Sequence, residues 1–184
     1  MMIEPTILPD VKLVTPKRFG DARGWFAEVY KQSAFEAAGL VVNLVQDNHS
    51  MSAQVGTVRG LHFQLPPFAQ AKLVRVVRGR ILDVAVDVRR SSPTFGQHVT
   101  VELSAETGQA LFIPVGFAHG FCTLAPDTEV EYKVLAPYAP THDHGLAWDD
   151  PALNITWPVA AEAAVLSDKD RRHPRLADRP TLFD

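Results

Sequence analysis

The sequence predicts an all-β fold, a sandwich or barrel of short strands with only a few short peripheral helices. Three observations carry that expectation. Segments rich in β-branched and apolar residues recur along most of the chain, each bounded by glycine or proline. One of them, Ile81 to Val88, alternates cleanly, with Leu82, Val84, Val86 and Val88 opposite Asp83, Ala85 and Asp87. Only one short stretch, Ser33 to Gly39, reads well as an α-helix. Many short strands at regular spacing build sandwiches and barrels.

The elements follow in order. Arg23 to Tyr30 is rich in strand formers and comes after a turn at Gly20 and Asp21. In Ser33 to Gly39, Ser33 and Glu36 have capping-box spacing and Gly39 supplies a stop. At about two turns, such a helix must lean on the rest of the fold. Val41 to Ser50 resumes strand, with a polar second half. Lys72 to Gly79 and Ile81 to Val88 follow, then Val99 to Leu103, Gln109 to Ile113, Ala118 to Leu124 and Thr128 to Leu135. Pro137 to Gly145 reads as a loop, and Ala160 to Asp170 as partly helical. Arg171 to Asp184 is a polar tail.

Length and composition set the class. A chain of 184 residues fits one domain, here 1–184. Hydrophobic residues at 46% and charged residues at 21% describe an ordinary globular protein. A formal charge of −3 leaves no basic footprint, so nucleic acid is not an expected partner. The single cysteine, Cys122, lies in an apolar run and has no internal disulfide partner, which suits a reducing compartment. The first residues lack the pattern of a signal peptide, and no stretch has the length of a membrane span. The expectation is a cytoplasmic protein without a membrane partner.

The stretch Gly56 to Gln64 departs from a plain core strand. Alternation puts Val58, His62 and Gln64 on one side with Gly60, and Arg59, Leu61 and Phe63 on the other. A bulge at Gly60 would turn Arg59 toward the side of His62. In the strand opened by Lys72, that lysine shares a face with Val74 and Val76. Charges on apolar strand faces are costly to bury and need a reason.

Gly108-Gln109-Ala110-Leu111-Phe112-Ile113-Pro114-Val115-Gly116-Phe117-Ala118-His119 resembles the second cupin motif, and Gly56, His62 and Gly79 fall at key positions of the first. The resemblance implies a cupin-type jelly-roll barrel, often metal-containing. Here Gln64 stands at the second metal histidine and Lys72 at the ligand carboxylate. A lysine ammonium has no lone pair and repels a cation. The expectation is therefore no metal and no cofactor, with organic acid–base groups in place of the metal site. A neutral imidazole takes a proton, a nearby cation stabilises the resulting oxyanion, and a phenol returns a proton from another side. Tyr132 shares a face with Val130 and Val134 and should point inward with His62 and Lys72. Asp168 and Asp170 each offer a carboxylate to orient the histidine. Removal of a proton beside a carbonyl and its return to the opposite face is epimerisation.

Four motifs together are specific. Gln46-Asp47-Asn48-His49-Ser50, Arg59-Gly60-Leu61-His62-Phe63-Gln64, Ser92-Pro93-Thr94-Phe95-Gly96 and Pro114-Val115-Gly116-Phe117-Ala118-His119-Gly120-Phe121 resemble the dTDP-4-dehydrorhamnose 3,5-epimerase family. The resemblance runs from about Phe19 to Asp170. It implies a dTDP-4-keto-6-deoxy-sugar substrate in deoxysugar synthesis, typically of L-rhamnose, and a homodimer. By position His62 is the base, Tyr132 the acid, Asp170 the partner of His62, and Lys72 the enolate-stabilising cation. Arg23, Glu28, Gln46, Asp47, Asn48, Arg59, Lys72, His119, Asp143 and Lys169 are expected to bind substrate, and Tyr138 to stack on the thymine. Residues 1–50 are expected to be exchanged at the dimer interface, 51–135 to form the barrel core, and 136–184 a loop and C-terminal segment.

Each assignment has a bland rival. His62 alone would be a structural histidine, Tyr132 a core aromatic, Lys72 a snorkelling strand-end lysine, and Arg23 and Arg59 surface charges. The framing of His62 by Arg59, Gln64 and Lys72, together with the motifs, favours the site. A diphosphate also calls for bidentate arginine donors. His49, His98, His142, His144 and His173 are expected to be structural or at the surface. Three other functions remain: inversion of C3 or C5 alone on another dTDP-4-keto-deoxysugar, a metal-dependent cupin enzyme, and a non-catalytic sugar-nucleotide-binding cupin.

Overall fold

The computed structural model describes residues 1–179 and 182–184. Thirteen strands are present among them. A six-stranded sheet has the order β1 (Met2–Pro5), β2 (Lys12–Thr15), β10 (Ala110–Ile113), β7 (Lys72–Arg78), β12 (Thr128–Val134), β5 (Gln46–Ser52). A five-stranded sheet has the order β13 (Asp143–Gly145), β6 (Val58–Gln64), β11 (Phe117–Thr123), β8 (Arg80–Asp87), β9 (His98–Ser104). All recorded pairings between these strands are antiparallel, and chain neighbours often lie far apart in the sheets, as in a jelly roll. A third unit is a two-stranded hairpin, β3 (Arg18–Asp21) with β4 (Gly24–Ala27).

Side-chain alternation sorts the core into layers. Val74, Val76, Leu111, Ile113 and Val130 of the first sheet meet Ile81, Ala85, Val99, Leu103, Phe117 and Phe121 of the second in one buried cluster. The opposite face of the second sheet carries Leu61, Phe63, Val84, Val86, Val88 and Ala118, covered by Leu146, Leu153 and Leu182 from the C-terminal segment. On the other side, Val14, Leu73, Ala110 and Phe112 pack against Phe35 and Val42. The alternation in Ile81 to Val88 holds, with Val84, Val86 and Val88 opposite Ile81 and Ala85, but the face that carries Asp83 and Asp87 is buried as well.

The helix α1 (Gln32–Ala37) differs in detail from the expectation. Its N-cap is Lys31 with no side-chain cap bond, so Ser33 lies inside the first turn and the predicted capping box does not form. Gln32 instead donates to Glu36 at 2.8 Å along one face. Gly39 ends the helix as expected, its amide bonding the Glu36 carbonyl at 2.9 Å. With so few turns, the helix is held by the burial of Phe35, which touches Tyr30 and Phe112. Burying such a side chain is worth about 1.5–3 kcal/mol.

Other bounds move too. The expected strand Arg23 to Tyr30 is only Gly24–Ala27, turning at Ala22 and Arg23 rather than at Gly20 and Asp21. Val41 to Ser50 becomes strand only at Gln46, where pairing with β12 begins. The predicted loop Pro137 to Gly145 ends in β13, which adds an edge to β6. Strands β1 and β2 were not predicted; β2 is recruited by pairing with β10. Within 1–50, then, β1, β2 and α1 pack on this chain's own barrel, and the β3–β4 hairpin leaves Phe19, Trp25 and Phe26 more than half exposed.

Candidate active site

The bulge at Gly60 organises the site. Strand β6 pairs with β11 as His62 with His119 and Arg59 with Phe121, and the register slips between the two. Gly60 has φ +131°, and a Cβ there would lie 2.8 Å from the His119 carbonyl oxygen, so only glycine fits. The slip turns Arg59 to the side of His62, as the sequence predicts. Val58 stays behind, packed on Cys122 and Trp148.

A cavity of about 210 Å³ lies between the two sheets, lined by Ser50, Arg59, His62, Lys72, His119, Phe121, Tyr132, Ser167, Lys169 and Asp170. It opens into a mouth of about 380 Å³ that adds Gln46, Asn48, Gln64, Gln70, Tyr138 and Asp143. His62 and His119 enter from the five-stranded sheet, Lys72 and Tyr132 from the six-stranded one.

The histidine's partner is Asp170. His62 Nε2 donates to Asp170 Oδ1 at 2.5 Å, and Asp170 Oδ2 accepts from Ser167 Oγ at 2.8 Å. Asp168 is exposed, so the choice between the two aspartates falls on Asp170. Burial alone would raise the Asp170 pKa, but His173, His62 and the Ser167 hydroxyl outweigh it and hold the carboxyl well below its usual range. Burial lowers the His62 pKa, offset only in part by Asp170, so the imidazole is neutral at neutral pH. Among the described residues its Nδ1 has no hydrogen-bond partner.

Lys72 is buried, its ammonium 3.4 Å from the His62 carbonyl oxygen. Burial brings its pKa down to about 8, with Asp143 and Asp83 opposing and Lys169 assisting. Burial also raises the Tyr132 pKa, which keeps the phenol protonated. Arg59 is steadied by Ser52 Oγ at 3.1 Å and the Met51 carbonyl at 3.0 Å. Lys169 pairs with Asp143, which also accepts from the Tyr138 hydroxyl at 3.0 Å. Arg59, Lys72 and Lys169 make this cavity electropositive, as an anionic ligand would require.

Three glutamines hold the segment that carries Tyr138. Gln64 donates to the carbonyls of Phe68 and Pro137 at 2.7 and 3.1 Å and accepts from the Ala139 amide at 2.8 Å. Gln46 accepts from the Tyr138 amide at 3.0 Å, and Gln70 donates to the Ala136 carbonyl at 2.7 Å. The position of a cupin metal ligand is thus occupied by a backbone staple.

Three predicted binding residues lie elsewhere. Asp47 points to the opposite face of β5, pairing with Lys133 at 2.6 Å, because only Gln46, Asn48 and Ser50 alternate inward. Arg23 sits at the hairpin turn, bonded to Asp21 and otherwise exposed. Glu28 follows the hairpin and faces Lys31 at 3.6 Å. Two side chains escaped the sequence reading. Asp83 is fully buried and accepts from His119 Nε2 at 2.7 Å; an aspartate amid the valines of β8 was its signal. His173, expected to be structural or at the surface, is half-buried with its ring edge-on against His62.

Fold and cavity define the class: a cupin-like jelly-roll barrel whose interior presents histidine, tyrosine, aspartate and cationic side chains to one cavity. The model of the dTDP-4-dehydrorhamnose 3,5-epimerase family matches residues 5–178, and the chain belongs to that family. The dTDP-4-dehydrorhamnose 3,5-epimerase of Sinorhizobium fredii is 55% identical over 183 residues, 100% of this chain and 93% of that one. The crystal structure of the Bacillus anthracis 3,5-epimerase with TDP and PPi bound matches at TM-score 0.91 and 49% identity, covering 95% of this chain and 98% of that one. A Legionella pneumophila dTDP-6-deoxy-D-glucose-3,5-epimerase in complex with dTDP-4-keto-L-rhamnose matches at TM-score 0.90 and 41% identity, covering 96% and 93%. No helix among the described residues is long and apolar enough to cross a membrane.

Proposed function

We propose that this chain inverts C3 and C5 of dTDP-4-dehydro-6-deoxy-D-glucose to give dTDP-4-dehydro-L-rhamnose, by proton removal and return beside the C4 carbonyl. The observation that carries the mechanism is that His62 and Tyr132 line one cavity from opposite sheets. A sugar ring between them meets a base on one face and an acid on the other. His62 Nδ1 takes the carbon-bound proton, and the C–H electron pair moves into the carbonyl to form an enolate. Asp170 steadies the imidazolium, and the Lys72 ammonium stabilises the enolate oxygen. The Tyr132 phenol then protonates the carbon from the other face. Two such rounds invert two carbons, and each proton taken up is released in turn, so no cofactor is consumed.

Arg59 and Lys169 supply positive donor groups for the diphosphate, with His119 lining the same cavity and Gln46, Asn48 and Asp143 at the mouth. Tyr138, more than half exposed on its stapled segment, is available to stack on thymine. Arg23 and Glu28 act from a second subunit in a homodimer, which the exposed aromatics of the hairpin support. The test is NMR with dTDP-4-keto-6-deoxyglucose in heavy water. Deuterium should enter both C3 and C5 as the L-configured product forms. Exchange at one carbon alone would favour a mono-epimerase, and no exchange would overturn the reading.

A further inference from the structure

The cluster around Asp170 holds one more group than the acid–base chemistry uses. His173 Nε2 lies 3.6 Å from Asp170 Oδ1, the same oxygen that accepts from His62. The His173 side chain is only 9% exposed, and its Nε2 has no hydrogen-bond partner among the described residues. Its ring fills the space that a Cβ on Gly145 would occupy, and Gly145 is the cross-strand partner of His62. The two imidazoles meet edge to face with centroids 5.5 Å apart. One ligand atom from each of His62, Asp170 and His173 lies within 4.8 Å of the others. Two imidazole nitrogens and a carboxylate oxygen are a donor set for a borderline-soft divalent ion.

We propose that His62, Asp170 and His173 form an inhibitory binding site for a divalent transition-metal ion of the zinc type. In a tetrahedral zinc site with bonds of 2.0–2.1 Å the ligand atoms lie roughly 3.3 Å apart, so the His62–Asp170 pair opens by roughly 0.8 Å to admit the ion. Water supplies the fourth position. This site shares only His62 with the cupin ligand positions, where Gln64 and Lys72 replace the second histidine and the carboxylate. Lys72 and Lys169 bear on His62 electrostatically, which sets the affinity below that of a structural zinc site.

Inhibition follows from the electron pairs of His62 and rests on its role as the base. The ion takes the Nε2 lone pair. The proton formerly on Nε2 is transferred, by way of solvent, to Nδ1, and a ring that binds the ion at Nε2 and a proton at Nδ1 has no pair left to accept the substrate proton. Nucleotide binding, which uses other groups, is untouched.

The experiment begins with full-length protein stripped by chelator, which should be fully active. Zn2+ is titrated into the epimerisation assay, and Co2+ is titrated with visible absorption as the readout. Wild type should be inhibited saturably and recover on chelation, and one equivalent of Co2+ should give a d–d band. Losing a supporting partner typically costs 10–100-fold in metal affinity, so losing a ligand in His173→Phe or His173→Asn should raise the Zn2+ needed for half-inhibition by about 100-fold. The Co2+ band should vanish in both, while His142→Asn should leave both readouts unchanged. Imidazole 15N spectra of wild type give a test without variants: Zn2+ should shift two of the seven histidines. Equal Zn2+ sensitivity in His173→Phe, or shifts at other histidines, would overturn the site. A band and shifts as expected, without inhibition, would overturn the inhibitory role and, with it, His62 as the base.

Discussion

Single residues set the pH range of the reaction. With His62 as the base, it must be neutral to accept a proton, so activity should fall as pH drops through its pKa, which burial holds below the usual 6.5. Asp170 raises that pKa, so Asp170→Asn should move the acid limb of kcat/KM further down while slowing exchange. Lys72 must be charged to hold the enolate, so activity should also fall as pH rises through about 8. Lys72→Met should remove that alkaline limb along with most of the rate. His62→Ala should abolish carbon-bound proton exchange and leave dTDP binding near normal, and exchange at the wild-type rate would move the base elsewhere. Much of this set was legible in the sequence, because a histidine and a lysine on apolar strand faces violate the strand pattern. Asp83 and His173 were not. Asp83 becomes meaningful only when β11 brings His119 opposite β8, and His173 only when Gly145 gives up its side-chain space.

At the scale of elements, the segment bearing Tyr138 depends on β6. Gln64 is 3% exposed, and its amide meets three backbone groups of the flanking segments. Gln64→Leu would leave the buried Ala139 amide unpaired, at a cost of about 1–3 kcal/mol. The expected outcome is a lower Tm and a raised KM, with kcat changed much less, since the acid and base stay on their own strands. A fall in kcat alone would contradict this role. The alternating strands of the barrel could be read from sequence because burial on one face or two dictates their pattern. The exceptions share a physical cause. Strands β1 and β2 are short and form by pairing with their neighbours, and β13 exists only as an edge added to β6. Asp47 does not line the cavity of its own chain because the motif containing it alternates, and it faces Lys133 instead.

At the scale of the whole molecule, the β3–β4 hairpin presents its aromatic residues to solvent. Phe19, Trp25 and Phe26 are 52%, 60% and 66% exposed on a hairpin that stands outside both sheets. If a second subunit covers it, light scattering should report a dimer, and Trp25→Ser with Phe26→Ser should weaken the dimer and activity together. A fully active monomer would contradict that arrangement. The central claim concerns the barrel itself: two sheets face each other and deliver base and acid to opposite sides of one ring. Inversion needs both sides, whereas exchange needs only one. Removing the Tyr132 hydroxyl should therefore spare deprotonation, since His62 and Lys72 remain, and the enolate should regain its proton from the face it left. A general acid typically contributes about 10²–10⁴-fold, so net epimerisation should fall within that range. The most direct measurement follows deuterium at C3 and C5 beside formation of the L-configured product, in heavy water with Tyr132→Phe. The account predicts that exchange persists while inversion collapses; equal loss of both, or no loss of either, would contradict it.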